Sequence, residues 1–298
     1  MPEPVSRRWF LAGSAALVAA VACGNDDSDR PAISVPDDDD GTDGTAAAEQ
    51  VNLLIGTFNT LAGRPDERVA ILVVDGERKP VETDAAVTVR FGDAPQSRQL
   101  GAALPAERHA DGLLTPYYLV KTQFAAPGAY ALQADVGGRA AVAAVQVLDP
   151  SQDPAPKPGD RLLSVPTPTA ANSQGVDPIC TRDPVCPLHE VSLDAALGQG
   201  TPLAVLFATP AFCQTATCGP VLDVLLSARE GFADRVTFVH VEIFKDRDAK
   251  ETAPAVQAYK LQNEPWLFLA GADGVVRERL AGPYDRTELH AALGRLTA

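Results

Sequence analysis

The residues best suited to chemistry are four cysteines in the C-terminal half of the chain: Cys180, Cys186, Cys213 and Cys218. Cys213 and Cys218 fall in "ATPAFCQTATCGP", directly after the apolar run 203–207. A sulfur placed between the end of a buried strand and the start of a helix faces unpaired backbone N–H groups and the positive end of the helix dipole. Both stabilise thiolate, the attacking form of cysteine. Cys213 is therefore the candidate nucleophile, with Cys218 five positions beyond it.

The spacing constrains how the two can meet. Cysteines five apart on a regular helix point about 140° away from each other, and a disulfide needs Cα atoms within about 7 Å. The helix is thus expected to begin near Gly219-Pro220, where the missing proline N–H costs nothing, or to unwind its first turn when the bond forms. Cys180 and Cys186, in "PICTRDPVCPLH", have no helix to activate them and are expected to form a structural disulfide; the alternative is that they pass electrons to Cys213. His189 is expected to help start a helix. His240, inside "VTFVHVEIF", is expected to be packed or surface-facing, and Glu242 and Asp246 to be solvated. Phe212 and Trp266 either flank the sulfur as an apolar shelf or belong to the core.

The elements that must position these residues alternate. Helix is expected over 192–197, strand over 203–208, and helix over 219–230, where Val221, Leu222, Leu225 and Leu226 recur at helical spacing. Strand follows over 236–244, a weaker helix broken by Pro254 over 249–259, a hairpin of 266–269 with 275–281, and a helix over 286–296. Such alternation implies an α/β sheet covered on both faces with one antiparallel edge. Upstream, residues 51–149 read as short strands at 69–74, 86–91, 117–124, 129–136 and 140–148, separated by Gly, Pro and Asp turns, hence a small antiparallel sandwich. Residues 150–178 form a proline-rich linker. Residues 24–50 are an acidic, disordered tether, whose Asp37 to Asp40 run reads as a solvated spacer rather than a calcium loop.

The C-terminal region, 179–298, resembles thioredoxin-fold proteins: strand, cysteines at a helix start, strand, then a proline just before an edge hairpin. Pro265 in "NEPWLFLAGADG" stands where that fold carries a cis-proline opposite its redox cysteines. The resemblance implies thiol–disulfide exchange catalysed by Cys213 and Cys218, with Pro265 shaping a peptide-binding edge, protein thiols or disulfides as partners, and no bound cofactor or metal. The departure is the spacing, since thioredoxins resemble one another in Cys-x-x-Cys. "TPAFCQTATCG" also resembles the "TPGC" plus Cys-x4-Cys arrangement of Q-type peroxiredoxins, with Phe212 as an extra residue and Glu264-Pro265-Trp266 where that family places an arginine. Copper delivery, as in the similar Sco proteins, would need His189 or His240 beside the thiolates. A scaffold with static disulfides is the remaining alternative. The segment "FAAPGAYALQADVGGRAAVAAVQVLD" resembles the closing hairpin of immunoglobulin-like or fibronectin-like modules.

The N-terminus sets the compartment. "SRRWFL" resembles a twin-arginine export signal, and its apolar segment 11–22 is shorter than the ~20 residues that a membrane span needs. "AVAC" resembles a bacterial lipobox, which makes Cys23 the candidate lipidated residue and 1–23 the signal. The expected location is the cell envelope, anchored to the outer face of a bacterial membrane, where an even number of remaining cysteines favours disulfides. A formal charge of −14 excludes nucleic acid as the natural partner and a polybasic grip on lipid.

Overall fold

The computed structural model describes residues 51–298; the expected signal, Cys23 and the acidic tether lie outside the described residues. Eight strands come first: β1 (Asn52–Ile55), β2 (Thr60–Leu61), β3 (Glu67–Val74), β4 (Val87–Gly92), β5 (Leu104–His109), β6 (Tyr117–Thr122), β7 (Gly128–Val136) and β8 (Arg139–Leu148). They form one sheet in the order β1-β3-β6-β5-β4-β7-β8-β2. Alternation drives it: in β4 "VTVRFG", Val87 and Val89 are buried while Arg90 is exposed. The sheet curls because β5 changes partner midway, with Leu104 to Ala106 pairing β4 and Glu107 to His109 pairing β6. It closes on a core that includes Val69, Ile71, Val89, Phe124, Leu132 and Val145. Gly137 (φ +60°) and Gly138 (φ +84°) make the two-residue turn between β7 and β8, where both positions need positive φ.

Two features correct the expected antiparallel sandwich. The two-residue β2 pairs with β8 in parallel, and β5, "LPAERH", is a strand although its composition is that of a loop. Ladder bonds to a neighbour on each side override its weak propensity.

The second part contains α1 (Leu193–Ala196), β9 (Leu203–Ala208), α2 (Cys218–Phe232), β10 (Thr237–Glu242), α3 (Pro254–Tyr259), β11 (Trp266–Ala270), β12 (Val276–Ala281) and α4 (Arg286–Leu296). Its sheet runs β10-β9-β11-β12, with β9 and β10 parallel and β11 antiparallel to both of its neighbours. All six residues of β9, "LAVLFA", are buried, as a strand covered on both faces requires. Ala204, Leu206 and Ala208 pack with α2 and α4; Leu203, Val205 and Phe207 pack with α1 and α3. Residues 159–162 run along the outer edge of β12 at its start, where Gly159 N–H donates to the Val276 carbonyl at 2.9 Å and Val276 N–H to the Asp160 carbonyl at 2.8 Å, while Asp177 N–H donates to the Lys245 carbonyl beyond β10 at 2.8 Å. The start of the β12 edge is thereby covered.

The described residues belong to a single unit, and the curled sheet is docked on the α4 end of the second part. Arg68 of β3 holds Glu288 of α4 with two parallel hydrogen bonds of 2.6 and 2.8 Å, and donates to the carbonyls of Ala281 and Pro283. Tyr117 also donates to Glu288. Burial raises the Glu288 carboxyl, but Arg68 outweighs it and holds the group below the usual carboxylate range. Asp285 caps α4 and accepts from Glu288 N–H at 2.8 Å while meeting His109 Nδ1 at 2.9 Å. Backbones nearly touch at Gly282 (φ +85°), where an added Cβ would come within 2.0 Å of the Gly56 carbonyl oxygen. Among the described residues, no helix is long and apolar enough to cross a membrane.

Candidate functional site

Helix α2 begins at Cys218, with Pro220 in its first turn. Cys213 lies outside the helix on a turn closed by Ala216 N–H donating to the Cys213 carbonyl at 3.1 Å, with Ala216 at φ +53°. The positioning puzzle set by the spacing is thus resolved without a long helix: the intervening residues fold back as a turn. Cys218 N–H donates to Cys213 Sγ at 3.4 Å, and Thr215 Oγ1 lies 3.3 Å from the same sulfur. Both cysteines are free thiols.

Their environments differ. Cys213 is half-buried and Cys218 fully buried. The Cys218 thiol, then Thr215 and the amides of Cys218 and Thr217, hydrogen-bond to the Cys213 sulfur; together they overcome burial and bring its pKa down to about 5. The hydrogen bond to Cys213, burial, and the charge of Cys213 all push the Cys218 thiol up. One accessible thiolate beside one buried, proton-holding thiol is an arrangement suited to attack by the first and resolution by the second. Among the described residues, no arginine hydrogen-bonds to Cys213 Sγ.

The Glu264–Pro265 peptide is cis. Glu264 and Pro265 line, together with Gln214, Thr215 and Thr217, a cleft of about 490 Å³ whose opposite wall includes Leu54, Leu72 and Arg78 of the curled sheet. Burial, then the charge of Cys213, raises the Glu264 carboxyl. The sequence reading assigned Glu264 no role; its place before Pro265 was the only signal.

Other expectations change. Trp266 is core: along β11, Trp266, Phe268 and Ala270 face the layer of α1 and α3, whereas Cys218 lies in the opposite layer with Leu267 and Leu269. Phe212 is half-buried and packs edge-on against Phe244. Glu242 is buried, not solvated, and accepts from Thr181 N–H and Thr181 Oγ1–H, each at 2.8 Å. Cys180 and Cys186 are both free rather than joined. They lie at 3.7 and 3.4 Å from His240 Nδ1, which also meets His189 Nε2 at 3.1 Å. The two histidines that a copper reading would bring to Cys213 and Cys218 thus gather around the other pair. Period-2 alternation in β10 explains it, since His240 and Glu242 share the face that meets the 179–189 segment. The sequence reading missed this grouping because His240 stands 54 and 60 residues from those two cysteines.

No protein-family model matches the chain, and no curated protein matches it. Among solved structures, the chain is similar to one from Chlorobium tepidum assigned as the thiol:disulfide interchange protein DsbE, at 13% identity and TM-score 0.36, covering 48% of this chain and 100% of the other. It is also similar to a thiol:disulfide interchange protein of the thioredoxin family from Chlorobium tepidum TLS, at 16% identity and TM-score 0.31, covering 46% of this chain and 100% of the other.

Proposed function

We propose that this protein is a thioredoxin-like thiol–disulfide exchange protein of the bacterial cell envelope, exported by its N-terminal signal, anchored through Cys23 and acting on protein thiols or disulfides. The observation that carries the reading is the asymmetry of the pair: a half-buried Cys213 with a pKa near 5, next in the chain to Gln214 of the cleft lining, against a buried Cys218. The element order, the helix start at Cys218 and the cis Pro265 on the same cleft support it.

In the reductive direction, the Cys213 thiolate attacks one sulfur of a substrate disulfide. A Cys213–substrate bond forms, the substrate S–S bond breaks, and the leaving thiolate takes a proton from solvent. Cys218 then loses its proton and attacks Cys213 Sγ, closing the Cys213–Cys218 disulfide and releasing the second substrate thiol; two electrons pass to the substrate. We assign the acceptance of that proton to Glu264, whose carboxyl is held up by burial and then by the charge of Cys213. The oxidative direction is the reverse sequence. Pro265 and the residues opposite it hold the substrate segment.

The test is thiol trapping across thiol/disulfide buffers, with peptide mass spectrometry to locate the bond. Reversible opening of a Cys213–Cys218 disulfide above about −300 mV is expected. A pair that stays closed below that potential, or never closes, would make it structural or a lone thiol, and the proposal would fail.

A further inference from the structure

Cys180, Cys186, His189 and His240 converge, one ligand-type atom of each lying within 4.8 Å of all the others, and all four are buried. His240 Nε2 donates to the Ala208 carbonyl at 3.1 Å. A carbonyl only accepts, so in the neutral ring Nδ1 carries the lone pair. That lone pair is shared among Cys180 Sγ, Cys186 Sγ and His189 Nε2 at 3.7, 3.4 and 3.1 Å. One lone pair accepts one hydrogen, so His240 Nδ1 can accept from at most one of the three groups gathered around it.

A cation at the centre removes the conflict, because it takes a lone pair from each group. Zinc bonds of about 2.3 Å to sulfur and about 2.0–2.1 Å to nitrogen, spread tetrahedrally, set S and N about 3.5 Å apart and two N about 3.3 Å apart. The separations of 3.4 and 3.7 Å for S to N, and 3.1 Å for N to N, fall within about 0.2 Å of those values. The Ala208 carbonyl on the far ring nitrogen of His240 is the outer partner that orients metal-bound imidazole.

We propose that Cys180, Cys186, His189 and His240 form a structural Zn²⁺ site. Two thiolates and two imidazoles suit zinc, and four buried protein ligands leave no open position for a substrate. Binding transfers no electrons: each thiol gives its proton to solvent as its sulfur bonds the metal. A Cys180–Cys186 disulfide, by contrast, would take two electrons from the two thiols and leave His189 Nε2 and His240 Nδ1 with only each other. The site pins the 179–189 segment to β10. Thr181, next to Cys180, donates to Glu242 and accepts from Ala211 N–H at 3.1 Å, two residues before Cys213. The metal therefore braces the loop that carries the nucleophile.

The experiment is elemental analysis of the full chain purified under reducing conditions without chelator, followed by titration of the metal-stripped, reduced protein with Zn²⁺ and with Co²⁺. One zinc per chain is expected, together with the visible bands of tetrahedral thiolate-ligated cobalt. Both should persist in the Cys213→Ser/Cys218→Ser chain and be lost in Cys180→Ser and His189→Ala. Because losing a ligand can unfold the protein, the wild-type cobalt spectrum decides independently of those variants. A fully reduced wild-type chain that takes up neither ion, zinc that leaves with Cys213 and Cys218 instead, copper in place of zinc, or a Cys180–Cys186 disulfide in the exported protein would each overturn the assignment.

Discussion

The two cysteine pairs sit in one hydrophobic layer and have opposite chemistry. Cys213 and Cys218 straddle a turn and a helix start, where backbone and thiol donors converge on one half-exposed sulfur. Cys180 and Cys186 lie in an irregular segment, fully buried, with two imidazoles as neighbours. The lesson is that a cysteine's role follows from which groups point at its sulfur and whether solvent reaches it, not from the spacing between cysteines, which is similar in the two pairs.

The sharpest way to break this contrast is substitution. Cys213→Ser should abolish exchange and Cys218→Ser should accumulate mixed disulfide with substrate, whereas Cys180→Ser, measured on its folded fraction, should lower the exchange rate by less than about tenfold, worth ~1.4 kcal/mol. Non-reducing gels of trapped reaction mixtures check all three; equal losses at both pairs would erase the distinction.

Next in size is Thr181, which joins the pairs. Thr181→Val removes the hydroxyl donor to the buried Glu242 and the acceptor for Ala211 N–H, and should cost about 1–3 kcal/mol in denaturant unfolding. An unchanged midpoint would mean that the two loops are held independently.

Proton uptake sharpens the contrast further. The rate of Cys213 alkylation should rise with a midpoint near pH 5, while an ordinary thiol has its midpoint near ~8.5. Because the folded pKa is the depressed one, the thiolate contributes stability to the reduced protein that is fully present above the unfolded value and disappears as pH falls through about 5. Cys213→Ala should flatten the reduced protein's stability between those limits; a curve unchanged by the substitution would show that the sulfur is not held as thiolate.

The smallest effect concerns the turn. Ala216 adopts φ +53°, a conformation that favours glycine, so Ala216→Gly should stabilise the chain by about 0.5–1 kcal/mol without moving the alkylation midpoint.

Much of this was legible in the residues. The apolar run 203–208 and the closing helix 286–296 were read with their observed ends, and the helix carrying Val221, Leu222 and Leu225 at helical spacing was expected to start one residue from Cys218. Pairing across long separations was not legible. Strand β5 has no apolar alternation of its own and exists through its neighbours, and Arg68 finds Glu288 across 220 residues. His240 looked like one more member of an apolar strand, because periodicity shows which face a side chain takes and is silent on what waits there.

The cleft beside Cys213 has walls from two sources. The cysteine turn and the cis-proline strand form one, and Leu54, Leu72 and Arg78 of the curled sheet form the other. Under the proposed exchange reaction, selection and chemistry would fall to separate stretches of chain, and the sheet wall could diverge for new clients while the sulfur machinery stays fixed. The same separation makes those three positions the natural place to begin retargeting the protein by design.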